Sequence, residues 1–433
     1  MLIPRQAIAD FAARLASMPD GLRSVTTEVD LDPLDVVRSG AEAFGFAAFF
    51  ASPGGVAVGA LGSAATTALS GPGRLAGLDR TVAALPEDAI AMVGFAFDQD
   101  GPGGMRWEGF PSAAAVLPSI TVMRRGGRST LRVTLAPGAD PRMLLGLLST
   151  LRAPLPPAGP QEVDHIVESR PAAADWRDVV AEAVSAIQAG AMQKVVLART
   201  VQVRTGSPID GFGLVGLLRD RYPECRVFGW QAGDAVFVGA SPELLVSRSG
   251  EHFHLRLLAG SAPRGDEAED DRRLGDALLA SGKDRLEHQI VVDDAVARLK
   301  PVVDHLDRPA EPVLERYATV QHLATPLTGT TSARLLGLAD AIHPTPAVGG
   351  APRGEALAFI EKMEEVDRGW YAGGIGWADA SGDGELALGL RCALVRGETA
   401  LLYAGNGIVV DSDPDDELDE TRLKLRPLLD LLT

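Results

Sequence analysis

From residue 386 to 394 every second side chain is Leu or Cys: Leu386, Leu388, Leu390, Cys392 and Leu394. A period of two marks a strand with one buried face, and it sets Arg391 on the opposite face. Phe253, Leu255 and Leu257 repeat the pattern against His252, His254 and Arg256. Lys194 to Val203 is rich in β-branched residues and reads as a strand. Ala235–Gly239 and Leu244–Ser247 read as strands on either side of Ser241-Pro242-Glu243. Val93–Phe97 and Ser119–Met123 are two more, the second starting just after Pro118. Helical stripes interrupt them. Trp176, Val179, Val180, Ala183, Val184 and Ile187 lie on one face, with Asp175 as cap and Gly190 as stop; residues 267–300 and 414–432 are also helical. Strands and helices mix without a βαβ rhythm. The expected fold is therefore α+β, with large, mainly antiparallel sheets flanked by helices. The clearest break is Ala153 to Pro160, where four prolines and a glycine sustain neither helix nor central strand. It divides a lobe of residues 1–160 from a region of residues 161–433.

The net charge of −17 argues against nucleic acid as a partner. Cys225 and Cys392 have no zinc or disulfide spacing around them and read as reduced thiols of a cytoplasmic protein. The first residues read as an amphipathic helix, not a signal peptide, and no apolar run is long enough to span a membrane. Neither a dinucleotide loop, a phosphate loop nor a nucleophile elbow occurs.

Two helical segments carry paired acids. Asp284 and Glu287, three apart, project from one helix face. Asp413 and Pro414 make a good helix start, after which Glu417, Glu420 and Lys424 form a stripe separate from the apolar one. Carboxylates meeting across a cleft would suit Mg²⁺, a cation that takes hard oxygen ligands. On spacing alone, two solvated acidic faces are the better explanation, because acidic pairs three apart are common.

The surroundings of these acids resemble the chorismate-utilising enzymes. The resemblance rests on Leu286-Glu287-His288-Gln289-Ile290-Val291-Val292-Asp293 and on Asp411-Ser412-Asp413-Pro414 followed by Glu417, Glu420, Thr421, Arg422 and Lys424. Between them, in family order, come Val320-Gln321-His322-Leu323, Arg368-Gly369-Trp370-Tyr371, Arg391-Cys392-Ala393 and Gly405-Asn406-Gly407. It implies the two-lobed fold of anthranilate synthase component I. It implies Glu287 and Glu420 as direct Mg²⁺ ligands, with Glu417 and Asp284 water-mediated or behind them. Asp284 departs from the family's more usual Glu. The substrate implied is chorismate, its ring carboxylate meeting Mg²⁺ and the backbone N–H groups of Gly405 and Gly407. Arg391 and Tyr371 would hold the enolpyruvyl carboxylate, a forked guanidinium matching it better than an ammonium. His322 would line the ring. Ser261 and Lys424 complete the implied contacts.

Three positions select the reaction within the family. Lys194 resembles the base of water-using members, where ammonia-using ones carry Gln. Glu243, in Ser241-Pro242-Glu243, resembles the acid that protonates the departing C4 hydroxyl. Ala259 stands where aminodeoxychorismate synthases carry a nucleophilic lysine. The implied activity is conversion of chorismate to isochorismate, feeding menaquinone, siderophore or salicylate chemistry. A water-using member needs no amidotransferase subunit and often works as a monomer. The rival is a salicylate synthase, which also expels pyruvate; Ala347, in His343-Pro344-Thr345-Pro346-Ala347, sits where lyases tend to carry a hydroxyl residue. A non-catalytic chorismate-binding protein is the alternative from another class.

Overall fold

The structure is a computed structural model that describes residues 2–156, 166–317 and 320–433. The proline-rich break at Ala153–Pro160 lies outside the described residues from position 157 onward. Every ladder among the described residues is antiparallel. The strands form one branched sheet with two limbs. The first runs from Arg23–Val29 through Arg128–Leu135, Ala113–Arg125, Ala57–Leu69, Ala47–Ala51, Arg226–Ala232, Ala235–Ser241, Cys392–Arg396 and Thr399–Ile408 to Lys194–Arg204. The second leaves Ala113–Arg125 through Ile90–Phe95 and continues by Gly374–Asp379, Gly384–Leu388, Leu244–Ser249 and His252–Pro263 to Val320–Thr330. Strands from before residue 160 thus pair directly with strands from after it, at Ala48↔Trp230 and Val93↔Gly376. Trp107, Phe110, Trp230, Phe237 and Trp370 pack edge-on or tilted in the core and tie the two halves together.

The alternating run of residues 386–394 is two strands, not one. Gly384–Leu388 lies in the second limb and Cys392–Arg396 in the first. Gly389, Leu390 and Arg391 carry the chain across, with Arg391 in the left-handed region at φ 48. Periodicity cannot reveal such a switch, because both strands keep the same inward phase. Pro118 sits inside Ala113–Arg125 rather than before its second half. The ladder to Ala57–Leu69 shifts register between Ser63 and Ala65, opposite Pro118, and a bulge tolerates the missing N–H. The helical run of residues 267–300 breaks at Ser281, which caps Gly282–Leu299 by accepting from the Asp284 amide; Ala268–Ala280 precedes it. The helix Ala173–Gln188 has Ala172 as its N-cap, so Asp175 is not the cap but lies in the first turn and favours the positive helix end. The last helix, Pro414–Leu432, begins where its sequence indicates, the Asp413 carboxylate accepting from the amides of Asp415 and Asp416. None of the described helices is long and apolar enough to cross a membrane.

Candidate active site

Two chain crossings between the limbs create the site. Ala235–Ser241 passes to Leu244–Ser249 at Pro242-Glu243, and Gly384–Leu388 returns to Cys392–Arg396 at Arg391. The crossings are pinned to one another: the Leu388 amide donates to Glu243 O and the Ala240 amide to Arg391 O, each at 3.2 Å. Glu243 and Arg391 are thereby held in the wall of one cavity. Helices Gly282–Leu299 and Pro414–Leu432 close it. Glu243, Ser261, Glu287, His322, Ala347, Tyr371, Arg391, Gly405, Gly407, Glu420 and Lys424 all face this one space, with Ala259 and Tyr403 beside them. Lys194, Asp284 and Glu417 stand behind its wall.

Lys194 is 1 % exposed, and its Nζ lies 2.9 Å from Glu287 Oε1. An ammonium that deep would cost several kcal/mol without a counter-charge, so Glu287 stabilises it. Gly407 permits the pair. A Cβ there would stand 2.3 Å from Glu287 Oε1 and 2.6 Å from Lys194 Cε. Gly405 is equally constrained, since a Cβ would meet Leu197 O at 2.6 Å and the Tyr371 hydroxyl at 2.7 Å.

Glu243 is 4 % exposed. Burial pushes its carboxyl up to about 8, although the Lys194 charge and a bond from the Leu258 amide oppose the rise. It is therefore a carboxylic acid at neutral pH. His322 goes the other way: burial, with Arg391 and Lys424 nearby, lowers it to about 3, so the ring is neutral. Its Nδ1 pairs with Ser261 Oγ at 2.9 Å, while the buried Nε2 has no protein partner. Tyr371 stacks on Tyr403 with centroids 5.2 Å apart, and burial raises its hydroxyl. The Arg391 charge faces Tyr371, Glu420 and Glu243.

Each of three carboxylates is paired with a lysine. Besides Glu287 with Lys194, Glu417 Oε1 lies 3.1 Å from Lys283 Nζ and Glu420 Oε1 lies 2.6 Å from Lys424 Nζ. Burial raises Glu417, and Glu420 adds to the rise. At Glu420 burial acts upward as well, but the Lys424 ammonium outweighs it and the carboxyl falls below its usual range. Burial raises Asp284, whose carboxylate accepts from the Ser281 hydroxyl. Among the described residues no three Asp, Glu, His or Cys side chains converge in a metal-holding arrangement. Glu287 and Glu420 do share the cavity wall, as hard oxygen donors.

Sequence reasoning missed several supports. Arg368, 4 % exposed, forks onto Glu364 and donates to Val348 O and Val196 O, fixing two cavity-lining segments. Glu364 in turn accepts from the Ala198 amide. His288 bridges Ala259 O and the Thr325 hydroxyl, seating its helix on the second limb. Lys283 enters the carboxylate group from the turn at Ser281. Only Arg368 and His288 had a sequence signal, each lying within a family-like run.

Residues 10–433 match the family described as chorismate binding enzyme. The chain is 42 % identical over 355 residues to the salicylate biosynthesis isochorismate synthase of Pseudomonas aeruginosa, covering 78 % of this chain and 73 % of that one. Its fold is similar to that of MenF, the menaquinone-specific isochorismate synthase of Escherichia coli, with a TM-score of 0.85, 26 % identity and 99 % of both chains covered. Anthranilate synthase component I of Streptococcus pneumoniae shares the fold at 21 % identity, with a TM-score of 0.71 over 87 % of this chain and 93 % of that one.

Proposed function

The chain belongs to the chorismate-binding enzyme family, and from that premise we propose that it is an isochorismate synthase, an isomerase that converts chorismate to isochorismate. The observation that carries the reading is a cavity whose wall holds a glutamic acid that keeps its proton at neutral pH and, separately, a carboxylate, Glu287, backed by the buried Lys194. Ala259 offers no nucleophile there.

In this reading Lys194 acts as a neutral amine, the ammonium proton it shares with Glu287 having passed to solvent before the step, and takes a proton from water as the water oxygen bonds to ring C2. The ring double bonds shift, the C4–O bond breaks, and Glu243 gives its proton to the departing hydroxyl. One water enters and one leaves, so the product is an isomer and no redox partner is required. Arg391 and Tyr371 hold the enolpyruvyl carboxylate. The neutral His322 and Ser261 flank the ring, and Lys424 adds positive charge at the same wall. Magnesium fits the donor set: Glu287 and Glu420 would hold it, with Glu417 and Asp284 behind them, and its charge would neutralise the ring carboxylate beside Gly405 and Gly407. Residues 1–160 supply none of these side chains and act as scaffold for the same sheet.

The test is to incubate the protein with chorismate and magnesium chloride and to follow the products by NMR. Isochorismate alone is the expected product. Salicylate with pyruvate would identify a salicylate synthase, and unchanged chorismate a binding protein.

The Glu243 assignment also fixes a pH response. An acid must be protonated to act, and its proton is lost as pH rises through about 8. The kcat profile should therefore fall through that value on its alkaline side. Glu243→Gln should remove that limb along with most of the rate. A flat profile from pH 7 to 9 in the wild type would sink the role.

A further inference from the structure

Asn406 lies between the two cavity glycines yet points away from the cavity. It is 1 % exposed and sits opposite Leu197 in the ladder between Thr399–Ile408 and Lys194–Arg204. Its amide contacts the last helix three times. Nδ2 donates to Glu417 O at 2.6 Å and to Glu417 Oε2 at 3.0 Å, while Oδ1 accepts from Lys424 Nζ at 3.0 Å. The orientation is dictated by its partners. A flipped amide would set its oxygen against a carboxylate and its NH₂ against an ammonium.

The partners are saturated as well. The three N–H groups of Lys424 go to Gly405 O, Asn406 Oδ1 and Glu420 Oε1. Glu417 Oε1 accepts from Ser412 and Lys283, leaving Oε2 to Asn406. Glu420 lies three residues after Glu417 and four before Lys424, on the helix face between them. A residue that grips both neighbours sets where Glu420 stands relative to the glycine strand.

We propose that Asn406 is a positioning residue that fixes the Glu420 carboxylate in the cavity by holding Glu417 and Lys424 on either side of it. The proposal rests on the reading of Glu420 as a magnesium ligand. Groups that orient ligands typically govern metal affinity ten- to hundredfold. Asn406→Ala removes all three bonds, and Asn406→Leu removes them at nearly constant volume.

Both variants and the wild type are titrated calorimetrically with magnesium chloride, melted with and without it, and assayed with chorismate. The expected result is a magnesium dissociation constant raised roughly ten- to hundredfold in both variants, with a smaller magnesium-induced rise in melting temperature. The magnesium needed for half-maximal rate should rise in step, more than kcat falls at saturating magnesium. A purely structural asparagine would lower the melting temperature and leave the magnesium titration of the folded protein unchanged, which overturns the proposal. Failure of both variants to fold has the same consequence. A wild type that neither takes up magnesium nor makes isochorismate would instead sink the functional reading on which the proposal rests.

Discussion

Lys194→Ala should reduce isochorismate formation by roughly 10²–10⁴-fold, the range of a lost general base, while the protein stays folded and still binds chorismate. The lysine is positioned by its strand. Val195, Leu197 and Val203 fill the core from the same ladder, and Gly407 across it leaves room for the ammonium and the Glu287 carboxylate. Among the described residues the other lysines near the cavity are already engaged. Lys424 has its three N–H groups engaged elsewhere, and Lys283 is paired with Glu417. Truncation removes the side chain of the pair that is 1 % exposed and leaves Glu287, which retains 13 % of its own exposure. The charge left behind is the one that solvent can reach, so the fold survives. Lys194→Met keeps the stem's packing and should be as inactive as the alanine variant. Product formation by NMR, chorismate binding by fluorescence and a denaturation midpoint separate the outcomes. Turnover near the wild-type rate in either variant would remove Lys194 from the mechanism.

What the sequence disclosed follows from how local each signal is. The last helix was legible because Asp413 and Pro414 state its start within two residues and its leucines repeat over the whole length. Lys194–Arg204 was legible because its pattern is unbroken. The crossing at Arg391 was not, because phase alone does not say which limb a strand joins. The break at Ser281 was hidden because acids and leucines continue on both sides of it, and only the cap distinguishes two helices from one. At the site, Glu243, Glu287 and Glu420 were singled out by the family-like runs around them, not by residue type or spacing. The lysine opposite each carboxylate is set by tertiary geometry: Lys194 and Glu287 are joined across the sheet and a helix, Lys283 and Glu417 across two helices. Only Glu420 with Lys424 follows the helical spacing of four. Asn406 lies within the family-like Gly405-Asn406-Gly407 run, but its bonds reach eleven and eighteen residues along the chain.

Glu420→Ala and Glu287→Ala should each abolish the magnesium response together with the activity, and they should differ in stability. Loss of Glu420 leaves Lys424 still donating to Gly405 O and Asn406 Oδ1, so the fold should be little disturbed. Loss of Glu287 strips the counter-charge from a lysine that is 1 % exposed. Breaking a buried pair typically costs about 3–5 kcal/mol. The partial exposure of Glu287 argues for somewhat less, roughly 2–3 kcal/mol in a chemical denaturation. Glu287→Gln separates the two effects. Its amide oxygen can still accept from Lys194, restoring much of that stability, but a neutral amide is a poor substitute for a carboxylate toward a hard dication. The expected order of stability is therefore wild type and Glu420→Ala, then Glu287→Gln, then Glu287→Ala, whereas all three variants lose the magnesium-dependent shift in melting temperature. Glu420→Ala with an intact magnesium response would refute its assignment as a ligand. If Glu287→Gln recovered both stability and magnesium dependence, Glu287 would be no more than the partner of Lys194.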